Sequence, residues 1–92
     1  MNKQELVASV AIKADMTKKD SEKVVVAVFE AITEAMSHHE KVQIVGFGTF
    51  EVRDRAERQG RNPATQEVIT IPAKQAPAFK AGKALRDAVK GL

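Results

Sequence analysis

An arginine-rich segment in the second half of the chain offers the side chains best suited to chemistry. Four arginines precede an asparagine and a proline, and these residues are Arg53, Arg55, Arg58, Arg61, Asn62 and Pro63. The guanidinium group is a planar fork of hydrogen-bond donors that suits phosphate groups and a narrow minor groove. A proline at a projecting tip can act as a rigid apolar wedge. The segment therefore favours a nucleic acid as the partner.

A solvated hairpin is the competing interpretation of the same segment. Asp54 and Glu57 dilute its positive charge, and an Asn-Pro pair is also ordinary turn chemistry. Large apolar residues are missing from the sequence between Arg53 and Val68, so the hairpin would pack against nothing in its own chain. A long arm without packing is costly to keep unless it has a use, and binding is therefore the favoured interpretation.

The distribution of charge supports a polyanionic partner more strongly than the total does. The chain of 92 residues has a formal net charge of +3 and a sequence pI of about 9.4. Residues 51–92 carry nine Lys and Arg against five Asp and Glu, whereas residues 1–50 carry six against seven. The positive excess thus lies in the half that holds the arginines. A charge of +3 alone would equally fit a role in solubility.

Other kinds of site find little support in the sequence. The glycines of Val45–Arg53 lie between predicted strands and no Gly-Lys-Ser/Thr follows, so a phosphate loop is not expected. His38 and His39 are adjacent and would diverge on a helix, which argues against a metal site. No serine is paired with a plausible base, and cysteine is absent. We therefore expect no enzyme activity, no metal, no cofactor and no small-molecule substrate.

Two helices are predicted in the first half of the chain. Asn2 resembles the first residue of a capping box, and apolar residues then recur at helical spacing over roughly residues 3–14. Thr17 provides a second capping signal, for a long helix that ends at about Ser37. Val24–Val26 conflict with this prediction because runs of β-branched residues favour strands. The length of the periodic stretch outweighs that conflict.

Three strands and a final helix are predicted in the second half, in the order α-α-β-β-β-α for the whole chain. Alternating hydropathy marks the strands. Lys41–Val45 and Thr49–Arg55 are expected to form a hairpin around a turn at Gly46–Gly48. A long polar hairpin follows over about residues 53–76, with a third strand at Val68–Pro72. The last predicted element is a helix at Lys83–Lys90. Residues from Pro77 onward are expected to lead into this last helix.

The predicted elements need more apolar cover than one chain offers. Two amphipathic helices and a small sheet with Phe47 and Phe50 each have a face to bury, and Phe79 also needs a core. Chains of this length bury a modest share of their surface, so the pairing of two copies is a common solution. We therefore expect a homodimer.

Nothing in the sequence predicts a membrane or secreted protein. No apolar run approaches the roughly 18 residues that span a membrane. The polar stretch Met1–Glu5 is not followed by the apolar core of a signal peptide. We expect a protein of the cytoplasm.

Four stretches of the chain carry a resemblance to a known family. They are VGFGTF at Val45–Phe50, RQGRNP at Arg58–Pro63, IPA at Ile71–Ala73 and PAFKAGKAL at Pro77–Leu85. With them the whole chain, in order and without gaps, resembles the HU and integration host factor family of bacterial nucleoid proteins. The resemblance implies an α+β fold, formed as an intertwined dimer with a helical base and a three-stranded antiparallel sheet that extends into β-ribbon arms. One domain over residues 1–92 would hold the helical dimerisation base at about 1–40, the sheet and arm at about 41–76, and the C-terminal helix at about 83–90.

The resemblance also implies roles for individual residues. The residues expected to contact DNA are Arg53, Arg55, Arg58, Arg61, Asn62, Pro63, Lys74, Lys80, Lys83 and Arg86. Pro63 matches the intercalating proline at the tip of the arm. The aromatic residues expected in the dimer core are Phe29, Phe47, Phe50 and Phe79. Gln66 departs from the family, which usually has glycine there, and a left-handed backbone at that position would cost a non-glycine residue roughly 1–2 kcal/mol.

The function implied by the resemblance is architectural. A homodimer would bind double-stranded DNA in the minor groove with low sequence specificity, bend it and organise the nucleoid, and minor-groove wedging is the family's established mechanism. Two alternatives stay open, a sequence-preferring subunit like integration host factor and, from another class, an RNA-binding module. Bending of duplex DNA would exclude the RNA-binding module, because A-form RNA hides its bases and resists such wedging.

Overall fold

The structure is a computed structural model that describes residues 1–91. Over these residues the chain forms three α-helices and five β-strands. The helices are α1 (Lys3–Lys13), α2 (Lys18–Ser37) and α3 (Lys83–Lys90), and the strands are β1 (Val42–Ile44), β2 (Gly48–Arg55), β3 (Arg58–Arg61), β4 (Val68–Ile71) and β5 (Lys74–Ala81). The chain divides into two compact units, Met1–Ala35 and the part that begins at Met36. The α+β class with a three-stranded antiparallel sheet is confirmed, although the chain forms five strands where the hydropathy pattern predicted three.

Side-chain caps fix the starts of the first two helices. Asn2 Oδ1 accepts a hydrogen bond from the Glu5 amide at 2.8 Å, and Thr17 Oγ1 accepts one from the Asp20 amide at 3.1 Å. Each bond satisfies an amide that the start of a helix leaves without an intrahelical partner. Both predicted caps are confirmed.

A buried serine links α1 to α2 in the first unit. Ser21 is fully buried and donates from Oγ to the Val7 carbonyl at 2.7 Å. A buried hydroxyl without a partner would cost about 1–3 kcal/mol, so this bond makes the close packing of the two helices possible. Among residues 1–91, the buried apolar side chains are Val7, Ala11 and Val25. Val25 is buried on α2, and this burial favours the helix over the strand that its β-branched neighbours would prefer.

Strands β1, β2 and β5 form an antiparallel sheet with β2 in the centre. The turn between β1 and β2 is closed by a bond from the Phe47 amide to the Ile44 carbonyl at 3.0 Å. Gly46 occupies its third position at φ 85°, a left-handed conformation that glycine adopts without steric cost. The predicted hairpin is confirmed, although Gly48 already belongs to β2 rather than to the turn.

The third strand of this sheet differs from the sequence prediction. The hydropathy pattern places it at Val68–Pro72, but β5 pairs with β2 over its whole length instead. The sheet therefore continues past residue 76, and Phe79 lies in a strand rather than in the lead to α3. The sequence did not predict β5 because Pro77 lies within it. Proline has no amide to donate and is confined to places such as edge strands. β5 is such an edge, since β2 is its one neighbour in the sheet.

Strands β3 and β4 form a separate antiparallel ladder beyond the sheet. Arg55 and Lys74 make the last pair between β2 and β5, and two residues on each strand follow before pairing resumes. Pro72 lies in this interruption and cannot donate to a ladder, which accounts for the break. The polar hairpin predicted over residues 53–76 is therefore present, but its pairing is interrupted between the β2–β5 ladder and the β3–β4 ladder. We call the two ladders and the turn that closes them the ribbon.

Candidate nucleic-acid interface

The ladder of β2 and β5 separates charged from aromatic side chains. Residues that pair directly in an antiparallel ladder share a face, and so do alternate residues along one strand. Arg53 pairs with Ala76, and Arg55 pairs with Lys74. The face that contains these pairs, called the basic face, consists of Thr49, Glu51, Arg53, Arg55, Lys74, Ala76, Ala78 and Lys80. The predicted placement of Arg53 and Arg55 on one face of a strand is confirmed.

Cations dominate the charge of the basic face. Its exposed cations are Arg53, Arg55, Lys74 and Lys80. Its one carboxylate, Glu51, is partly buried and lies 3.5 Å from Arg53 Nη2 and 3.9 Å from Lys41 Nζ. Exposed ion pairs of this kind contribute at most about 1 kcal/mol, so they can be exchanged for contacts with phosphate. Small alanines at positions 76 and 78 leave the long cationic side chains unobstructed.

The opposite face of the same ladder carries aromatic residues that were expected in a dimer core. Phe50 pairs with Phe79, and their ring centroids lie 4.8 Å apart. The Phe47 ring lies 5.5 Å from that of Phe79. In a single chain this cluster stays half exposed, at 44% for Phe47 and 42% for Phe79. Phe29, the fourth aromatic residue, lies on α2 and is 51% exposed.

The two arginines of β3 lie on opposite faces of the ribbon. Arg58 pairs with Ile71, and Arg61 pairs with Val68. Because three positions separate the arginines, their side chains leave the strand in opposite directions. The basic character predicted to continue toward the tip is therefore divided between two faces. A ribbon that carries cations on both faces can contact both walls of a groove.

The turn at the end of the ribbon is built around Asn62. Its amide donates to the Glu67 carbonyl at 2.9 Å, and its carbonyl accepts from the Gln66 amide at 2.8 Å. Asn62 Oδ1 also accepts from the Ala64 amide at 2.9 Å. Pro63, next in the chain, is exposed. Because proline has neither charge nor an amide, what Pro63 offers to a partner is a rigid apolar ring.

The remaining predicted DNA contacts lie on α3. Lys83 and Arg86 are exposed and three positions apart, a spacing that places them on one side of a helix. Lys83 forms an ion pair with Asp87 on the next turn. The predicted DNA contacts are thus distributed over the basic face, the β3–β4 ladder with its turn, and α3.

Three polar residues near these surfaces were not among the predicted site residues. Thr49 of the basic face pairs with Lys80 on one side and with Gln43 of β1 on the other, so Gln43 lies on the same side of the sheet and extends that face onto β1. The pairing register places them there, and alternation within one strand does not reveal a register. Gln66 lies in the same turn as Pro63 with φ 64°. The left-handed backbone considered for Gln66 is therefore present.

Residues 1–91 lack the side-chain clusters of a metal site and the helices of a membrane span. No group of three or more His, Cys, Asp or Glu side chains in this part of the chain could hold a metal ion. His38 and His39 directly follow the end of α2, which confirms their predicted helix-terminal position. None of the helices formed by these residues has the length and apolar character needed to cross a membrane.

Known proteins match the chain along nearly its whole length. A family model described as bacterial DNA-binding protein matches residues 1–90. This chain belongs to that family. The DNA-binding protein HU of Lactococcus lactis is 63% identical over 89 residues, which cover 97% of this chain and 98% of the relative. The DNA-binding protein HU of Staphylococcus aureus is 59% identical over 90 residues, which cover 98% of this chain and 100% of the relative.

A solved structure of an HU protein has the same fold. The Anabaena HU–DNA cocrystal structure matches with a TM-score of 0.88 and 52% identity, and the match covers 100% of both chains. The resemblance to the HU family that the sequence motifs indicated is therefore confirmed. The surfaces of the ribbon and of α3 therefore belong to a chain of a DNA-binding family with the fold of an HU protein.

Proposed function

We propose that this HU-family chain is an architectural DNA-binding protein of the bacterial nucleoid. Two copies bind duplex DNA in the minor groove with low sequence specificity and bend it. The observation that carries the proposal is the basic face, which belongs to the same ribbon as the exposed Pro63 at its end. The HU relatives, one of them crystallised with DNA, support the same partner. The function has no enzymatic step and needs no cofactor, and it is exercised in the cytoplasm.

Phosphate contacts supply most of the affinity in this proposal. The cations assigned to them are Arg53, Arg55, Lys74 and Lys80 on the basic face and Lys83 and Arg86 on α3. Each phosphate that a cation neutralises releases counterions, so the logarithm of the binding constant falls by about 0.9 per contact for each tenfold rise in salt. Phosphate contacts fix position but carry no base sequence. Low sequence specificity follows from an interface of this composition.

The end of the ribbon supplies the bend. Minor-groove proteins, with HU and integration host factor as established examples, insert apolar side chains between base pairs and kink the duplex. Pro63 is the residue at this position, and Arg58 and Arg61 hold the two walls of the groove below it. Unstacking one step costs a few kcal/mol, and nicked or flexible steps lower this cost. Such sites are therefore preferred.

Half-exposed apolar side chains support a second copy of the chain as the partner in assembly. Val24, Val28 and Phe29 of α2 and the aromatic cluster of Phe47 and Phe79 all remain accessible in one chain. A chain this small rarely stays folded with so little apolar surface buried. Pairing covers these faces, and a symmetric dimer presents two ribbons to one DNA molecule. Phe29, Phe47, Phe50 and Phe79 form the dimer core in this proposal.

Binding to a DNA duplex and to an RNA duplex of the same sequence tests the proposal, with equilibrium sedimentation of the free protein alongside. We expect a particle of twice the 10.0 kDa chain mass, DNA binding that weakens steeply with salt, and weaker RNA binding without a bend. Equal or tighter binding to RNA would favour an RNA-binding module. A strong preference for one DNA sequence would favour a subunit like integration host factor, and a stable folded monomer would contradict the dimer.

A further inference from the structure

The turn at the end of the ribbon is closed by bonds that involve its own backbone. The Asn62 amide donates to the Glu67 carbonyl at 2.9 Å. Asn62 Oδ1 and Thr65 Oγ1 accept hydrogen bonds from amides of the turn at 2.9 and 3.4 Å. The side-chain oxygens of Asn62 and Thr65 are thus used in hydrogen bonds that stabilise the turn. The Gln66 side chain is exposed and carries a carboxamide in the same turn as Pro63.

The backbone of Gln66 is in a conformation that glutamine rarely adopts. Its φ of 64° is left-handed, a region used mainly by glycine and asparagine. The Gln66 amide donates to the Asn62 carbonyl at 2.8 Å, which holds this conformation in place. Glycine would form the same turn without steric cost, so the turn alone does not account for a glutamine. An unfavourable backbone conformation that is kept at a proposed binding surface points to a function of the side chain at that position.

We propose that Gln66 reads the base pair next to the step that Pro63 opens. The inference rests on the proposed function, because it requires the end of the ribbon to enter the minor groove. Proteins that bind this groove read it with Arg, Lys, Asn and Gln side chains. The carboxamide of Gln66 offers two N–H donors and one oxygen acceptor. Because the closed turn links Gln66 to Pro63, both side chains reach the groove together.

The chemistry of the groove determines which pair Gln66 favours. A·T and T·A pairs present only acceptors there, N3 of adenine and O2 of thymine, whereas a G·C pair adds the 2-amino donor of guanine. The carboxamide of Gln66 can donate an N–H to guanine N3 and accept a hydrogen bond from the 2-amino group through its oxygen, whereas an A·T pair uses only the donor. Gln66 therefore favours a G·C pair in either orientation by about fivefold over A·T. The preference is confined to the pair beside each kink.

Three duplexes that differ in one feature test this inference. Nicks fix the kinked steps, and the pair beside each nick is A·T, G·C or inosine·C. Inosine lacks the 2-amino group, so its pair with cytosine has the minor-groove pattern of A·T. Affinities are measured by fluorescence anisotropy for the wild type, Gln66→Gly and Gln66→Asn. Glycine and asparagine both tolerate the left-handed turn, so the variants change the side chain without disturbing the ribbon.

We expect the wild type to bind the G·C duplex about fivefold more tightly than the A·T and inosine·C duplexes, which should bind alike. Gln66→Gly should bind all three equally, and Gln66→Asn should keep part of the preference through its shorter amide. Equal wild-type affinities, or an undiminished preference in Gln66→Gly, would overturn the inference. So would a preference for G·C that inosine·C shares, because flexibility rather than the amino group would then be read. Failure of the wild type to bind any of these duplexes would instead contradict the proposed function.

Discussion

Lys83 Nζ lies 3.1 Å from Asp87 Oδ2, one turn further along α3. The two side chains are 83% and 49% exposed, so the pair contributes less than about 1 kcal/mol to stability. Lys83 is one of the cations assigned to a phosphate. In the proposed interface, Lys83 exchanges Asp87 for that phosphate when DNA binds, so we expect Asp87 to weaken binding.

Replacing this acid should strengthen DNA binding. Asp87→Asn removes the competing charge, and we expect affinity to rise about threefold at low salt, a change of the size of one exposed ion pair. Asp15→Asn is the matched control, since it changes the net charge equally and asparagine tolerates the left-handed backbone of Asp15, at φ 55°. Fluorescence anisotropy on one duplex compares the two variants. An equal gain from both would point to total charge rather than to the release of Lys83.

A single cation of the basic face should account for one phosphate contact. Arg55→Ala is expected to reduce the slope of log affinity against log salt by about 0.9. Its control is Gln75→Ala, because Gln75 pairs with Asp54 on the other face of the same ladder and should leave the slope unchanged. Titrations over a series of salt concentrations measure both slopes. A slope unaffected by Arg55→Ala would remove this residue from the interface.

Close packing at Gly48 should make this position intolerant of any side chain. A Cβ there would lie 2.6 Å from the Lys80 carbonyl oxygen and 2.6 Å from Cζ of Phe79. We expect Gly48→Ala to lower the free energy of unfolding by about 3 kcal/mol, as overpacking does. Urea unfolding measures the loss, at one protein concentration because the stability of a dimer depends on concentration.

Gly60→Ala is the control for this loss. A Cβ at Gly60 would meet Cδ1 of Ile71 at 3.1 Å, the end of a flexible side chain that can move aside. The change in free energy should stay below about 1 kcal/mol. Similar losses at the two positions would contradict the account of packing under the aromatic cluster.

Features that depend on one side chain and its nearest amides could be predicted from the sequence. Asn2 and Thr17 cap their helices as expected because a cap acts over three residues. The spacing of apolar residues correctly predicted a helix against the preference of Val24–Val26 for a strand, and within this run α2 buries Val25 while Val24 stays exposed in one chain. The placement of Arg53 and Arg55 on one face followed from the two-residue period of a strand.

Features that depend on pairing between distant residues could not be predicted. β5 was missed because Pro77 argues against a strand, and its edge position is known only once β2 is seen as its neighbour. The division of Arg58 and Arg61 between two faces requires that β3 be a continuous strand. Gln43 joins the basic face through Thr49, a register that nothing in its own strand specifies.

In the proposed function, Pro63 bends DNA by entering between base pairs. Energy transfer between dyes at the two ends of a duplex, measured at saturating protein, reports the bend separately from affinity. Arg61→Ala serves as the control, and it should weaken binding but leave the bend at saturation in place. Pro63→Ala should bend DNA less and lose the preference for nicked duplexes, while binding to intact duplex falls less because the cations still hold the phosphates. Equal transfer for Pro63→Ala and the wild type would contradict the account and leave the ribbon as an electrostatic clamp.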